Sequence, residues 1–287
     1  IRDVKTQAET SNRIERMLQQ DKKEDAGRLK ILLLGGADAG KSTILKQMRI
    51  LHMTGFSAEE MHSFHKYLRY NVSQIFHEMS KGVLELVPEI ADVEKSLIYR
   101  FAEGLSWFAG LDDDMEVGIL INFLQLKCVR SFMQYHPNYS SLPDNAHYYI
   151  PNLGSLLSPD YMPTPEDILH LRIPTTSVNE INFSFEKASI RLIDVGGQRT
   201  YRKKWIHCFN GVAAVLFVAS MAAYDQVLDE VDMMIKPVLH EDAIPRAANI
   251  GNFQKRENRL RDSAMLFGEM LRSHFLLSAA FILFLNK

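Results

Sequence analysis

The sequence predicts an α/β fold: a mostly parallel sheet with an inserted all-helical domain. Three observations predict it. An apolar run at residues 29–34 leads into a glycine-rich stretch and then a helical pattern. A second apolar run ends at Asp194 and is followed by two glycines. Between these motifs, residues 55–169 show mostly helical periodicity and are too numerous for a simple connection.

The glycine-rich stretch reads GGADAGKS over residues 35–42 and fits the phosphate-binding pattern G-x-x-x-x-G-K-[ST]. Its glycines permit a tight turn whose amide N–H groups cradle phosphate oxygens, and the following helix adds its positive N-terminal end. We expect Lys41 to reach the β- and γ-phosphates and Ser42 to bind Mg²⁺. A chance match in a glycine-rich loop is the alternative, which the preceding strand and following helix disfavour. The predicted phosphate- and nucleotide-binding residues of this stretch are Gly35, Ala37, Asp38, Ala39, Gly40, Lys41, Ser42 and Thr43.

The second motif places an acid at the C-terminal end of a strand, with Gly196, Gly197 and Gln198 just after it. We expect Asp194 to hold Mg²⁺ through water and Gly197 to donate a backbone N–H to the γ-phosphate. Gln198 would then orient an attacking water. A plain strand end followed by a glycine turn is the alternative. Together, the two motifs predict a magnesium nucleotide held between two strand ends.

Composition limits the other possibilities. The chain has 287 residues, of which 46% are hydrophobic and 24% charged, as in a soluble globular protein, and its net charge of −2 indicates no nucleic-acid partner. Its two cysteines, Cys128 and Cys208, suggest a reducing compartment and no disulfide framework. The longest apolar runs are too short to span a bilayer. Because the sequence begins with Ile1 rather than Met, we expect a fragment or processed product in which no N-terminal lipid motif can be read.

Periodicity and turn residues divide the remaining chain. Residues 3–27 suggest a helix that is either a solvated lead-in or a partner-binding segment. Prolines interrupt residues 136–165, and the strand pair around Lys187 is expected to be an antiparallel edge. The predicted elements after the first helix at 42–52 are helices at 58–85, 96–108 and 115–135, strands at 181–186 and 189–193, a short helical segment at 200–210, a strand at 212–219, a helix at 257–273 and a strand at 279–285.

A helical domain inside a GTP-binding domain resembles the alpha subunit of heterotrimeric G proteins, a P-loop GTPase of the Ras-like class. Residues 167–176 (DILHLRIPTT) resemble its first switch, and residues 194–199 (DVGGQR) with 202–209 (RKKWIHCF) its second. Residues 144–149 (DNAHYY) are similar to the helical-domain segment that faces the nucleotide. Residues 284–287 (FLNK) resemble the beginning of the guanine-recognition motif N-K-x-D.

This resemblance implies roles for individual residues. Arg172 matches the arginine finger that stabilises charge on the γ-phosphoryl group, as is general for this family. Thr175 matches the second Mg²⁺ hydroxyl ligand beside Ser42, and Gln198 the residue that positions water. The further nucleotide-binding residues implied are Asp144, Asn145, Leu169, His170, Leu171, Asn286 and Lys287. The implied beta-gamma-binding residues are Lys203, Lys204, Trp205 and Cys208. An exposed Trp205 flanked by cations would be a binding hot spot, and a core tryptophan is the alternative.

The resemblance also implies domain boundaries. Residues 1–28 would form a partial N-terminal helix, and residues 55–169 the helical insertion domain. Residues 29–54 and 170–287 would form a Ras-like GTPase domain that is incomplete at its C-terminus. Residues 233–256 match nothing in the family pattern and are either a surface insertion or a mis-assembled reading frame.

Several positions depart from the family pattern. Ala37 replaces a glycine beside the γ-phosphate, so its methyl group is expected to slow hydrolysis while binding is retained. Asp38 replaces a glutamate, Ala39 lacks a hydroxyl, and Tyr201 stands where glutamate is usual. The sequence ends before the acid of N-K-x-D and the family's C-terminal helix, so guanine selectivity is inferred from resemblance and exposed apolar surface is expected.

The leading functional hypothesis is a GTP switch in which slow hydrolysis to GDP, with Mg²⁺ as cofactor, toggles partner binding. The implied partners are a beta-gamma dimer, a G-protein-coupled receptor and an effector. The implied location is the cytoplasmic inner face of the plasma membrane, reached through a lipid anchor absent from this chain. One alternative is a truncated, catalytically impaired decoy that captures beta-gamma. Another, an unrelated ATP-dependent P-loop enzyme, lacks a substrate-binding motif. Pro174 resembles the q-type subclass.

Overall fold

A computed structural model describes residues 13, 15, 17, 27–103, 113–136, 139, 141–158, 160–224, 226 and 258–286. The described residues fall into two compact units, one within Ile1–Met48 and Thr175–Lys287 and the other within Arg49–Pro174. The predicted insertion at 233–256, Lys287 and most of the predicted N-terminal helix lie outside the described residues.

The first unit is built on a five-stranded sheet of order β2-β3-β1-β4-β5. Strands β1, β3, β4 and β5 run parallel, and β2 pairs antiparallel with β3 at one edge. This arrangement confirms the predicted mostly parallel α/β sheet with its antiparallel edge. The strands are β1 (Arg28–Leu34), β2 (Asn179–Phe185), β3 (Ala188–Asp194), β4 (Ala214–Ser220) and β5 (Ala280–Asn286).

Strand β1 lies between β3 and β4, so both of its edges are paired, and hydrophobic clusters lie on both of its faces. Leu32, Leu33 and Leu34 are fully buried, which explains the uninterrupted apolar run. Leu32 and Leu34 belong to one hydrophobic cluster and Leu33 to another, as the two-residue period of a strand requires. The register pairs Leu33 with Asp194. The start of the glycine-rich loop and the end of β3 therefore lie together at the C-terminal ends of the parallel strands.

Helices cover both faces of this sheet. Ile44 and Leu45 of the first helix pack on the cluster that contains Leu33, whereas Leu266 lies in the opposite cluster with Phe217. The helices of this part of the chain are α1 (Lys41–His52), α9 (Arg199–Arg202) and α10 (Arg259–Leu271), with 3-10 turns at Trp205–Cys208, Met221–Ala223 and His274–Leu276.

The second unit is helical in its described residues. Ser57 and Glu60 form a capping box that starts its longest helix. Rings of Phe76, Phe101 and Phe123 meet edge-on or tilted in a fully buried core. Its helices are α2 (Ala58–Leu86), α3 (Asp92–Glu103), α4 (Asp113–Gln125), α5 (Lys127–Tyr135), α6 (Ala146–Tyr149), α7 (Leu153–Leu156) and α8 (Pro165–His170), with a 3-10 turn at Ile150–Asn152.

One predicted helix differs from the structure. The segment predicted as one helix at 115–135 is two helices, because Leu126 adopts an extended conformation with φ −58° and ψ 138°. The Glu94 carboxylate accepts a hydrogen bond from the Lys127 N–H at 2.6 Å, which satisfies a donor at the start of α5. The short helical segment predicted at 200–210 consists of one α-helical turn followed by a 3-10 turn. Among the described residues, no helix has the length and apolar character needed to cross a membrane.

Candidate nucleotide-binding site

The glycine-rich loop connects β1 to α1. Gly35 has φ +142°, and a Cβ there would collide with the Val218 carbonyl of the neighbouring strand β4. Only glycine therefore lets the chain leave the sheet this close to β4. Ala39 is buried, Ala37 is half-buried, and Gly40 is the last residue before the helix. Thr43 lies half-buried in the first turn of α1.

Side chains from two distant segments donate hydrogen bonds to the loop carbonyls. Arg259, the first residue of α10, donates to the Ala37 carbonyl at 2.8 Å and pairs with the Asp38 carboxylate at 3.2 Å. Asn286, at the end of β5, donates to the Ala39 carbonyl at 2.9 Å. Asp38 has φ +53°, a left-handed conformation uncommon outside glycine, so these contacts help to hold a strained turn. Arg259 escaped sequence analysis because nothing in its local sequence points to this loop.

Lys41 lies inside the loop that precedes it. It is only 5% exposed, and its ammonium donates to the carbonyls of Gly35 at 3.0 Å and Gly36 at 2.7 Å. Burial lowers the pKa of Lys41 to about 8, against the opposing effect of the Asp194 and Asp38 charges. A Cβ on Gly197 would collide with the Lys41 ammonium and the Gly36 carbonyl, so the two motifs meet at this point.

The three predicted magnesium ligands also converge. The Ser42 hydroxyl donates to the Asp194 carboxylate at 2.5 Å and lies 2.7 Å from the Thr175 hydroxyl. The Thr175 hydroxyl lies 3.5 Å from the same carboxylate oxygen. Burial raises the pKa of Asp194, although the hydrogen bond from Ser42 and the Lys41 charge act in the opposite direction.

The chemistry of this cluster fits a magnesium ion. All three side chains offer oxygen, the ligand atom that Mg²⁺ prefers. Asp194 is fully buried and its Oδ1 has no hydrogen-bond partner, which is costly for a carboxylate unless a cation or water satisfies it. Ser42, Thr175 and Asp194 are therefore the residues that would hold the ion.

The segment after Asp194 is bound to α10. Arg202 donates to the Gly197 carbonyl at 3.1 Å and to the Asp262 carboxylate at 2.6 Å, and Arg199 donates to the same carboxylate at 2.8 Å. Burial acts to raise the pKa of Asp262, but the hydrogen bonds from these arginines outweigh it and lower the pKa. Gln198, just before α9, has an exposed side chain. Sequence analysis did not single out Asp262, whose partners lie about sixty residues away in the chain.

The second unit contains six of the predicted nucleotide-site residues: Asp144, Asn145, Leu169, His170, Leu171 and Arg172. Asn145 is buried, and its amide donates to the His170 carbonyl at 3.0 Å. Leu171 is buried in the helical core, whereas Leu169, His170 and Arg172 are half-buried and Asp144 is exposed. The structure thus groups Asn145 with His170 and Arg172 inside one unit, through a hydrogen-bond network that also includes Asn71.

The expectation of an exposed tryptophan is wrong. Trp205 is 2% exposed, and its indole N–H donates to the Gly196 carbonyl at 2.9 Å. Cys208 is buried in the same hydrophobic cluster. After α9 the chain packs against one face of the sheet, where Trp205 and Cys208 join the cluster that contains Leu32 of β1. Lys203 and Lys204 remain exposed. Of the residues predicted to bind a partner, only the two lysines lie at the surface.

Comparison with known proteins decides the family. A model of the G-protein alpha subunit family matches residues 8–287. This chain belongs to the G-protein alpha subunit family. The guanine nucleotide-binding protein alpha-5 subunit of Caenorhabditis briggsae is 33% identical over 287 residues, covering 98% of this chain and 74% of that protein. The human guanine nucleotide-binding protein subunit alpha-15 is 34% identical over 301 residues, covering 99% of this chain and 70% of that protein.

The match agrees with the resemblance seen in the motifs. It spans both units, so the helical part of the chain belongs to the family as much as the sheet does. Members of the G-protein alpha subunit family are GTP-binding signalling switches with GTPase activity, and they generally use Mg²⁺.

Proposed function

We propose that this G-protein alpha subunit chain binds GTP with Mg²⁺, hydrolyses it slowly to GDP, and changes its affinity for partners between the two states. The convergence of the Ser42, Thr175 and Asp194 oxygens carries the proposal, and the buried ammonium of Lys41 in the glycine-rich loop supports it. In this proposal residues 29–54 and 170–287 form the GTPase domain, and residues 55–169 the helical insertion.

Each residue near the phosphates has a distinct task. The loop N–H groups and Lys41 bind the β- and γ-phosphate oxygens, and Gly197 adds a backbone donor. The bound ion neutralises charge on those oxygens. Gln198 orients the attacking water, and Arg172 stabilises the charge that develops on the γ-phosphoryl group. The roles of Gln198 and Arg172 are carried over from the family motif.

The partners follow from the family. A beta-gamma dimer, a receptor and an effector are proposed, with Lys203 and Lys204 as contact residues for beta-gamma. A peripheral position at the inner face of the plasma membrane is proposed with them. Arg199 and Arg202 link the second switch to α10 through ion pairs with Asp262. These ion pairs support a switch segment whose position depends on its contact with α10.

Nucleotide selectivity tests this function. A fluorescent non-hydrolysable GTP analogue and its ATP counterpart are titrated against the purified chain with Mg²⁺. Selective GTP binding that is weakened at least tenfold by Asp194→Asn supports the proposal, because the substitution removes the charge expected to hold the ion. Glu180→Gln, which neutralises an exposed carboxylate on β2, is the matched control and should bind normally. Absence of binding in a folded sample contradicts the proposal.

A second candidate function is suggested by Ala37, which stands where the family has glycine. In this reading the chain captures beta-gamma without catalysis. Phosphate release from bound GTP separates the two. If the chain is only a binder, the double variant Arg172→Ala, Gln198→Ala leaves phosphate release unchanged, whereas a GTPase loses it.

A further inference from the structure

Asn71 is a polar residue on the apolar face of α2. Its neighbours Leu68, Val72 and Ile75 are at most 1% exposed, and Asn71 itself is 5% exposed. Asparagine is a weak helix former, and a buried amide is costly unless its hydrogen bonds are made. Its presence at this position therefore calls for a specific set of partners.

The Asn71 amide has four partners. Its Oδ1 accepts from the Arg172 N–H at 2.8 Å and from the Asn145 side-chain amide at 2.9 Å. Its Nδ2 donates to the Arg172 carbonyl at 2.8 Å and to the Tyr67 carbonyl at 2.9 Å. The amide thus makes all four hydrogen bonds that its chemistry allows.

Two of these four bonds reach the same residue. Pairing with both the N–H and the C=O of Arg172 reproduces the two-bond contact of a residue pair in an antiparallel sheet. Such a contact fixes the position of the Arg172 backbone and the orientation of the peptide groups on either side of it. Arg172 follows α8 and lies in no helix or strand, so its backbone is not held by the regular hydrogen bonds of secondary structure.

The chain that leads to Arg172 is also fixed. The Asp167 carboxylate accepts from the hydroxyls of Tyr148 at 2.8 Å and Tyr161 at 2.7 Å, and it forms a capping box with Thr164 at the start of α8. The His170 ring stacks on Tyr148 with centroids 3.9 Å apart. Side-chain contacts therefore hold the chain from Thr164 to His170, and Asn71 holds the backbone of Arg172 that follows.

We propose that Asn71 is a positioning residue for Arg172: its amide holds the backbone from which the guanidinium extends to the γ-phosphoryl group. This inference rests on the role of Arg172 given under the proposed function. Each of the four hydrogen bonds of Asn71 joins residues of the helical unit, which therefore supports the backbone of Arg172.

A double-mutant cycle tests the inference. Single-turnover hydrolysis of bound GTP is measured for the wild type, Asn71→Ala, Arg172→Ala and the double variant, alongside the affinity for a non-hydrolysable GTP analogue. Asn71→Ala should slow hydrolysis about tenfold, because small displacements of a catalytic group are expensive, and should leave analogue affinity within about twofold. In the Arg172→Ala background, Asn71→Ala should cause no further loss. Equal losses in both backgrounds would overturn the inference.

Val72→Ala is the matched control. It removes buried volume from the next position of the same helix, and Val72 makes no side-chain hydrogen bond. It should lower the melting temperature without changing the rate of hydrolysis. If Val72→Ala slows hydrolysis as much as Asn71→Ala, general loosening of the unit explains both results and the inference is wrong.

If Asn71→Ala does not fold, amide hydrogen exchange in the wild-type chain still tests the contact between Asn71 and Arg172. In the wild-type chain, the Arg172 N–H should exchange far more slowly than an open-loop amide, and rapid exchange would contradict the contact itself. The rates of the single variants also distinguish failure of the proposed role of Arg172 from failure of the proposed role of Asn71. Unchanged hydrolysis in Arg172→Ala removes the role of Arg172, and this inference with it, whereas slow hydrolysis in Arg172→Ala but not in Asn71→Ala overturns only the role of Asn71.

Discussion

At the scale of single residues, Ala37 is the departure with the clearest chemical consequence. It is half-buried in the phosphate-binding loop, and its carbonyl is held by Arg259. The family pattern has a glycine at this position, and we expect the Ala37 methyl group to crowd Gln198 or the attacking water beside the γ-phosphate. We therefore expect Ala37→Gly to raise the single-turnover rate of GTP hydrolysis about tenfold, equivalent to about 1.4 kcal/mol in the activation barrier.

Ala37→Ser is the control for this prediction, since it changes polarity but keeps a Cβ. It should hydrolyse GTP as slowly as the parent chain. Equal rates for the glycine variant and the parent would sink the idea that the methyl group obstructs catalysis.

Lys41 leads to a prediction about pH. Because burial brings the pKa of Lys41 to about 8, its ammonium loses its proton in the nucleotide-free chain as pH rises through that value. Bound phosphates require the charged form, so the Kd for a non-hydrolysable GTP analogue should rise between pH 7 and pH 9, approaching tenfold per pH unit at the upper end. Isothermal titration measures it. The guanidinium of Lys41→Arg stays charged throughout, so that variant should show a flatter profile, and a flat wild-type profile contradicts the prediction.

At the scale of elements, Asp262 joins α10 to the segment around α9. The carboxylate is 8% exposed and receives Arg202 and Arg199, which themselves remain 17% and 38% exposed. Allowing for solvent screening at Arg199, Asp262→Asn should lower the free energy of unfolding by about 2 kcal/mol at pH 7. Denaturant titration measures this loss. Glu180→Gln breaks the more exposed pair with Arg191 and should cost well under about 1 kcal/mol.

The pH dependence of this difference follows from the lowered pKa of Asp262, in which the arginine hydrogen bonds outweigh burial. The folded chain favours the carboxylate, so the stabilisation is complete above the unfolded-state pKa of about 4. It is lost as pH falls through the still lower folded-state pKa. The gap between the parent and Asp262→Asn should therefore narrow in acid, and a gap that widens below pH 4 would contradict this account.

Sequence analysis succeeded where local patterns carry the information. The apolar runs of β1 and β3 and the loop motif predict the elements that bear Lys41, Ser42 and Asp194, and the long apolar period of α2 predicts the longest helix of the other unit. It failed where the deciding contacts are distant. The apolar period continues through Leu126, so the helix break there is invisible, and the cations around Trp205 conceal its burial. Asn71 belongs to no motif, and its meaning depends on Arg172, 101 residues later.

At the scale of the whole molecule, the chain crosses between its two units twice, at Met48–Arg49 and at Pro174–Thr175. The second crossing separates two proposed site residues: Arg172 belongs to the helical unit and Thr175 to the sheet unit. One short segment therefore carries a residue supported by Asn71 and a residue bound into the Ser42–Asp194 cluster. Each unit therefore supports its own proposed site residue.

Strand β5 leaves apolar side chains exposed on the described sheet. Within the described residues β5 pairs only with β4, and Ile282, Leu283 and Leu285 are 52%, 48% and 59% exposed. An exposed apolar edge strand favours pairing between chains. We expect concentration-dependent association by light scattering, reduced several-fold in Leu285→Lys because a charge on an edge strand opposes such pairing. Val93→Lys is the control, since Val93 is 90% exposed but lies on α3 in the other unit, and it should associate like the parent. Equal association of Leu285→Lys and the parent would show that β5 is not the surface responsible.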